Sequence, residues 1–177
     1  MKHHKFFLLI ILFTILIAVF TFAQSPERKE VPDKYKWNLS DIYPTTDAWQ
    51  KDVDMLKTDV DKLAAFKGTL GKSADELYTA LKTSSNLLKT LSKAWTYASN
   101  LSNENLNISA NQAMMQQMSA LGTKLGEVTA FMEPEILQIP KEKIDQFFKE
   151  KPELAKEFNM YIDNIQRLRA HTLDEAG

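Results

Sequence analysis

SADELYTALKTSSNLLKTLSKAWTYASNLS, Ser73 to Ser102, is the stretch that decides the fold class. It opens with Ser73-Ala74-Asp75-Glu76, the spacing of a capping box, in which a hydroxyl and a glutamate three residues later satisfy the free amides of a helix start. Behind that start, Leu77, Leu81, Leu88, Leu91, Trp95 and Ala98 recur in steps of three, four and seven. These steps put them on one stripe of a helix, whereas a strand would alternate every second residue. Thirty residues of unbroken helix would be about 45 Å long at 1.5 Å per residue. The segment predicts a long amphipathic helix, which needs other helices to cover its apolar stripe.

The flanking sequence supplies them. Upstream, Trp49, Val53, Leu56, Val60 and Leu63 step by four and three, with Thr45 or Thr46 as cap and Gly68 near the stop. Downstream, a third helix begins near Ser109 and presents Met114, Met118, Leu121, Leu125, Val128 and Met132 before Pro134 stops it. A fourth, shorter helix follows Pro140 with Ile144, Phe147 and Phe148. The fifth starts near Pro152, a tolerated first-turn position, and shows Leu154, Phe158, Tyr161 or Ile162, Ile165 and Leu168. Long amphipathic helices with short polar links pack antiparallel, so residues 45–177 are expected to form an all-α antiparallel bundle of about five amphipathic helices.

The N-terminus reads differently. Lys2 and Lys5 precede an apolar run from Phe6 to Phe22, and Thr21-Phe22-Ala23 offers a small-x-small cleavage site, so residues 1–23 are expected to be a signal peptide. The run of 17 residues is just short of the ~20 a spanning helix needs, and an uncleaved signal anchor is the alternative. Either way the chain is expected to be exported, periplasmic or extracellular, and to meet a membrane only through this segment. Residues 24–44 form an extended lead broken by Pro26, Pro32 and Pro44. Its aromatics Tyr35, Trp37 and Tyr43 are too many for a free linker, so the part from Tyr35 onward is expected to lie on the domain. Loss of the signal leaves 154 residues with 20 basic and 23 acidic side chains, a balance without the basic cluster that nucleic acid requires.

Candidates for chemistry are few. The chain has no cysteine, which excludes a disulfide framework and a thiol nucleophile. Past the signal its one histidine is His171, read as a helix-end cation with Arg167 and Arg169. Zinc sites need three or four clustered ligands, and neither H-E-x-x-H nor a glycine-rich phosphate loop occurs. Glu133 and Glu135 flank Pro134 and are read as solvated carboxylates in preference to an acid-base pair. Gly122 and Gly126 suggest close helix packing, and Met114, Met115 and Met118 core filling. Sequons at Asn38, Asn100 and Asn107 matter only in a glycosylating pathway. No catalytic, cofactor-binding or metal residue is therefore assigned.

Taken in order, YKWNLSDIYPTTDAW, LAAFKGTL, SADELYTAL, AWTYASNLSNEN, FMEPEILQIP and RLRAHTLDE, between Tyr35 and Glu175, resemble the N-terminal region of oligoendopeptidase F, a bacterial relative of thimet oligopeptidase. The resemblance implies a zinc metallopeptidase that hydrolyses short peptides. Its metal would sit on an H-E-x-x-H helix of a C-terminal catalytic domain in the same chain, and these 177 residues stop before it. It also implies that these helices belong to a lobe facing that domain across a channel, shaping access for short peptides. The capping box Thr172-Leu173-Asp174-Glu175 is then the start of a further helix. The alternative is a free-standing exported helical module that binds peptides or a protein without catalysis.

Overall fold

The computed structural model describes residues 30–171. The expected signal peptide at 1–23 and the capping box at Thr172 lie outside the described residues.

All regular structure among the described residues is helical. Helix α1 spans Thr46–Val60, α2 Ala74–Glu104, α3 Ser109–Thr129, α4 Met132–Gln138, α5 Lys141–Glu150 and α6 Pro152–Arg167. The caps are those the sequence requires. The Thr45 hydroxyl accepts from the Ala48 amide at 3.1 Å, and the Ser73 hydroxyl from the Glu76 amide at 3.2 Å. After α1 the chain tightens into a 3₁₀ turn, Asp61–Phe66, and leaves it through Gly68, whose φ of 78° is a left-handed value that glycine adopts without a Cβ clash.

The expected third helix is in fact two. It breaks at Ala130–Phe131, and Pro134 stands inside the first turn of α4 instead of ending α3. Proline is tolerated there because first-turn amides have no partner within the helix, so the missing N–H costs nothing.

Two apolar cores share α2. In one, Leu87, Leu91, Ala94, Tyr97 and Ala98 of α2 pack with Trp49, Val53 and Leu56 of α1 and with Met114, Met118, Leu121 and Leu125 of α3. In the other, Ala74, Leu77, Ala80 and Leu81 pack with Ile136 of α4, Ile144 and Phe147 of α5, and Leu154, Ile162 and Ile165 of α6. Each fully buried Leu or Ile contributes about 1.5–3 kcal/mol relative to an exposed one, so both groups hold the fold.

This division corrects the single stripe expected for α2. Leu88 is 54% exposed and Trp95 38%, while Leu87 and Tyr97 are buried. At 3.6 residues per turn, the buried face of the C-terminal half is rotated by roughly a quarter turn from that of the N-terminal half. The helix serves a different core at each end. In α6 the choice between Tyr161 and Ile162 falls to Ile162, at 1% exposure, and Leu168 is exposed.

The segment before Leu39 is a separate compact unit. Within it, Asp33–Tyr35 form a 3₁₀ turn, with an ion pair between Lys36 and Asp33 at 2.8 Å. Tyr35 and Trp37 are exposed. Tyr43, past a second turn at Leu39–Asp41, is buried in the first core. Its ring meets Tyr97 edge-on at 5.4 Å, and its hydroxyl donates to Asp52 at 2.6 Å. Burial and the adjacent Asp52 carboxylate push the Tyr43 phenol well above the ordinary tyrosine range.

Candidate functional site

Where the two cores part, the surface folds inward into a groove of about 680 Å³. The floor is apolar, built by Leu81 and Leu88 of α2, Met132 at the start of α4 and Phe158 of α6. Leu88 is exposed because it faces this groove and neither core. The polar groups are hydroxyls, Ser84 and Ser85 on one wall and Tyr161 on the other, with one carboxylate, Glu133. A few convergent polar groups over an apolar floor are what a small-ligand site needs.

Glu133 and Tyr161 are joined. The Tyr161 hydroxyl donates to Glu133 Oε1 at 3.3 Å. Burial first, then the Glu133 charge and that hydrogen bond, raise the Tyr161 phenol to about 12, because a phenolate here would lose water and face a carboxylate. Tyr161 is thus a neutral donor at any physiological pH.

The neighbouring carboxylate acts elsewhere. Glu135 Oε1 accepts the amide of Gly68 at 2.6 Å, tying α4 to the turn that follows α1. The Glu133-Pro134-Glu135 pair therefore has two separate structural partners. Gly122 lies against Trp95, a Cβ there standing 3.5 Å from Cζ3, but one at Gly126 meets nothing within 4 Å, so close packing holds for the first glycine alone. Met114 and Met118 are buried in the first core and Met115 packs on its edge. The Asn100 side chain donates to the Thr96 carbonyl at 2.8 Å inside α2.

The basic end of α6 does more than the sequence suggests. Arg167 pairs with Asp163 at 2.6 Å, one turn back. Arg169 reaches across to the end of α4, its guanidinium donating to the carbonyl of Ile139 at 2.6 Å and from Nε to that of Leu137 at 3.1 Å. Gln166 adds donations to Ile136 at 2.6 Å and Ile139 at 3.2 Å. Together they satisfy carbonyls that a helix C-terminus leaves free. Spacing carries no signal for this, since the acceptors lie about thirty residues upstream. His171 closes the 3₁₀ turn Leu168–His171.

Among the described residues no group of three or more His, Cys, Asp or Glu side chains is gathered to hold a metal ion. The described residues do not fit the zinc that the sequence resemblance implies for a full-length relative.

Known proteins bear on the same residues. The family model described as Oligopeptidase F matches residues 135–177, which include the Gln166 and Arg169 clamp. Oligopeptidase PepF of Bacillus subtilis (strain 168) is 36% identical over 152 residues, covering 86% of this chain and 22% of that protein. The chain matches the N-terminal region of oligoendopeptidase F proteins. The plasmid-borne oligoendopeptidase F of Lactococcus lactis subsp. cremoris is 29% identical over 149 residues, 84% of this chain and 25% of that protein. The crystal structure of oligoendopeptidase F from Enterococcus faecium matches with a TM-score of 0.65 at 27% identity, over 73% of this chain and 26% of that one. The chain spans about a quarter of the length of these oligoendopeptidase F relatives.

Proposed function

We propose that this chain is the substrate-access region of an exported zinc metallo-oligoendopeptidase that hydrolyses short peptides, and that it is inactive alone. Export rests on the charged start, apolar run and small-x-small site of residues 1–23. The single observation that carries the reading is the match to the Bacillus oligopeptidase along 86% of this chain but 22% of that protein. A relative four times longer leaves room for a catalytic domain in the same polypeptide, where the zinc would be held. The role left to these helices is geometric: they form one wall past which a short, unfolded peptide reaches the metal.

The test is a cleavage assay on the purified 177-residue chain, with added zinc and a panel of internally quenched short peptides. No cleavage above background is expected, and joining the chain to an oligoendopeptidase F catalytic domain should bring activity. Zinc-dependent cleavage by the chain alone would overturn the reading.

A second reading, a helical module that binds peptides or a protein without catalysis, is favoured by one observation, the open apolar groove beside Glu133. Reading the gene past the codon for Gly177 separates the two. An open frame encoding H-E-x-x-H supports the peptidase, and an immediate stop codon supports the module.

A further inference from the structure

The geometry points to a peptide-binding site in the groove between α2, α4 and α6, with Glu133 selecting a lysine or arginine next to an apolar residue. The choice of a peptide as occupant rests on the peptide-acting reading above; the preference for a cation rests on the groove itself.

Charge complementarity identifies the occupant. Among the described residues Glu133 is the only charged side chain lining the groove, and the polar groups around it are hydroxyls that accept as well as donate. Lys82, the neighbour of Leu81 in the chain, is already engaged: it is paired with Glu157 at 2.5 Å, and Glu157 also accepts from Tyr78 at 3.2 Å. Glu133 by contrast is exposed, and the group that donates to it is the neutral Tyr161 hydroxyl. That hydrogen bond occupies one lone pair of one oxygen and fixes the carboxylate, so an incoming ammonium or guanidinium meets an oriented acceptor.

Leu81, Leu88, Met132 and Phe158 supply the apolar half. Leu88 carries its 54% exposure in the middle of a helix that otherwise turns leucines inward, so a ligand that covered it would bury area now in water. A volume of about 680 Å³ lies within the range of small-ligand pockets and suits a few residues of extended peptide. An anionic peptide is disfavoured twice, by the Glu133 charge and by the absence of a cation in the lining.

The experiment is fluorescence anisotropy on the full 177-residue chain with three N-acetylated, C-terminally labelled tripeptides, Phe-Lys-Ser, Phe-Gln-Ser and Phe-Glu-Ser. The lysine peptide should bind about ten-fold more tightly than the glutamine one, as expected for one charge-assisted hydrogen bond, and the glutamate peptide most weakly. Glu133→Gln keeps an acceptor for Tyr161 and should bring the lysine and glutamine peptides to within about two-fold. Leu88→Asp, at a position already exposed and so safe for folding, should weaken the glutamine peptide several-fold. Equal binding of the lysine and glutamine peptides to the unaltered chain, or a preference that survives Glu133→Gln, would overturn the site, as would no saturable binding at all. Binding is read without turnover, so the two failures are distinct: zinc-dependent cleavage by the chain alone would sink the proposed function without touching the preference for a cation, and loss of that preference would sink this site alone.

Discussion

The indole nitrogen of Trp49 donates to the backbone oxygen of Ala94 at 2.9 Å, across 45 residues of sequence and inside the first core. Both residues are buried, and the bond fixes α1 against the middle of α2, because an indole N–H left unpaired there would cost the desolvation of a donor. Trp49→Phe removes the donor and some volume and should destabilise the protein by about 1–3 kcal/mol; Trp49→Ala should cost about 3–5 kcal/mol. Urea unfolding reads both, with the midpoint falling and the slope unchanged.

Arg169 should behave as a tertiary clamp. Its donations to Leu137 and Ile139 join the end of α6 to the end of α4, with Gln166 beside it. Arg169→Ala is expected to cost about 1–3 kcal/mol and to loosen α4 and α6 while sparing α1 and α3. Amide hydrogen exchange localises the change: faster exchange confined to the second core supports the clamp, and a uniform increase argues against it. Arg169→Lys should recover only part of the loss, since an ammonium cannot present the planar fork.

Two glycines of α3 are stabilisation sites. Glycine inside a helix costs roughly 0.5–1 kcal/mol relative to alanine, and nothing lies within 4 Å of a Cβ at Gly126. Gly126→Ala should raise stability by about that amount. At Gly122 the new methyl would stand 3.5 Å from the Trp95 ring, an ordinary contact, so Gly122→Ala should also stabilise. A larger Gly122→Leu should displace Trp95 and be visible as a change in tryptophan emission.

Local rules made most of the helices legible. Capping boxes and hydrogen-bonding hydroxyls mark starts by chemistry that acts within four residues, and Ser73 and Thr45 cap as their spacing requires. What the spacing hid was tertiary. One apolar stripe drawn along α2 assigns Leu88 and Trp95 inward, because periodicity assumes one partner surface, and α2 has two. The groove lies at that change of partner. Its residues come from four helices, and neither Leu88 nor Tyr161 differs in sequence from a core position. Pro134 misled in a similar way: a proline ends a helix only where its missing amide was needed, and in α4 it was not.

Tyr161 gives the groove a pH signature. Its phenol is raised to about 12 from an ordinary 10.0, chiefly by burial and then by Glu133. A folded-state value above the unfolded one means the neutral phenol favours the folded form. That contribution is fully present below the ordinary value of 10.0 and is lost as pH rises through about 12. Spectrophotometric titration of phenolate formation, taken as the difference between the unaltered chain and Tyr161→Phe, isolates this one group from the other tyrosines. The Tyr161 increment should appear at about 12, above the ordinary tyrosine value of 10.0. Glu133→Gln should move it down, yet not to 10.0, because burial is the largest cause and remains. A Tyr161 increment at the ordinary value would mean that the phenol is not held against Glu133 at the groove wall, and a value unmoved by Glu133→Gln would mean that the two groups do not interact.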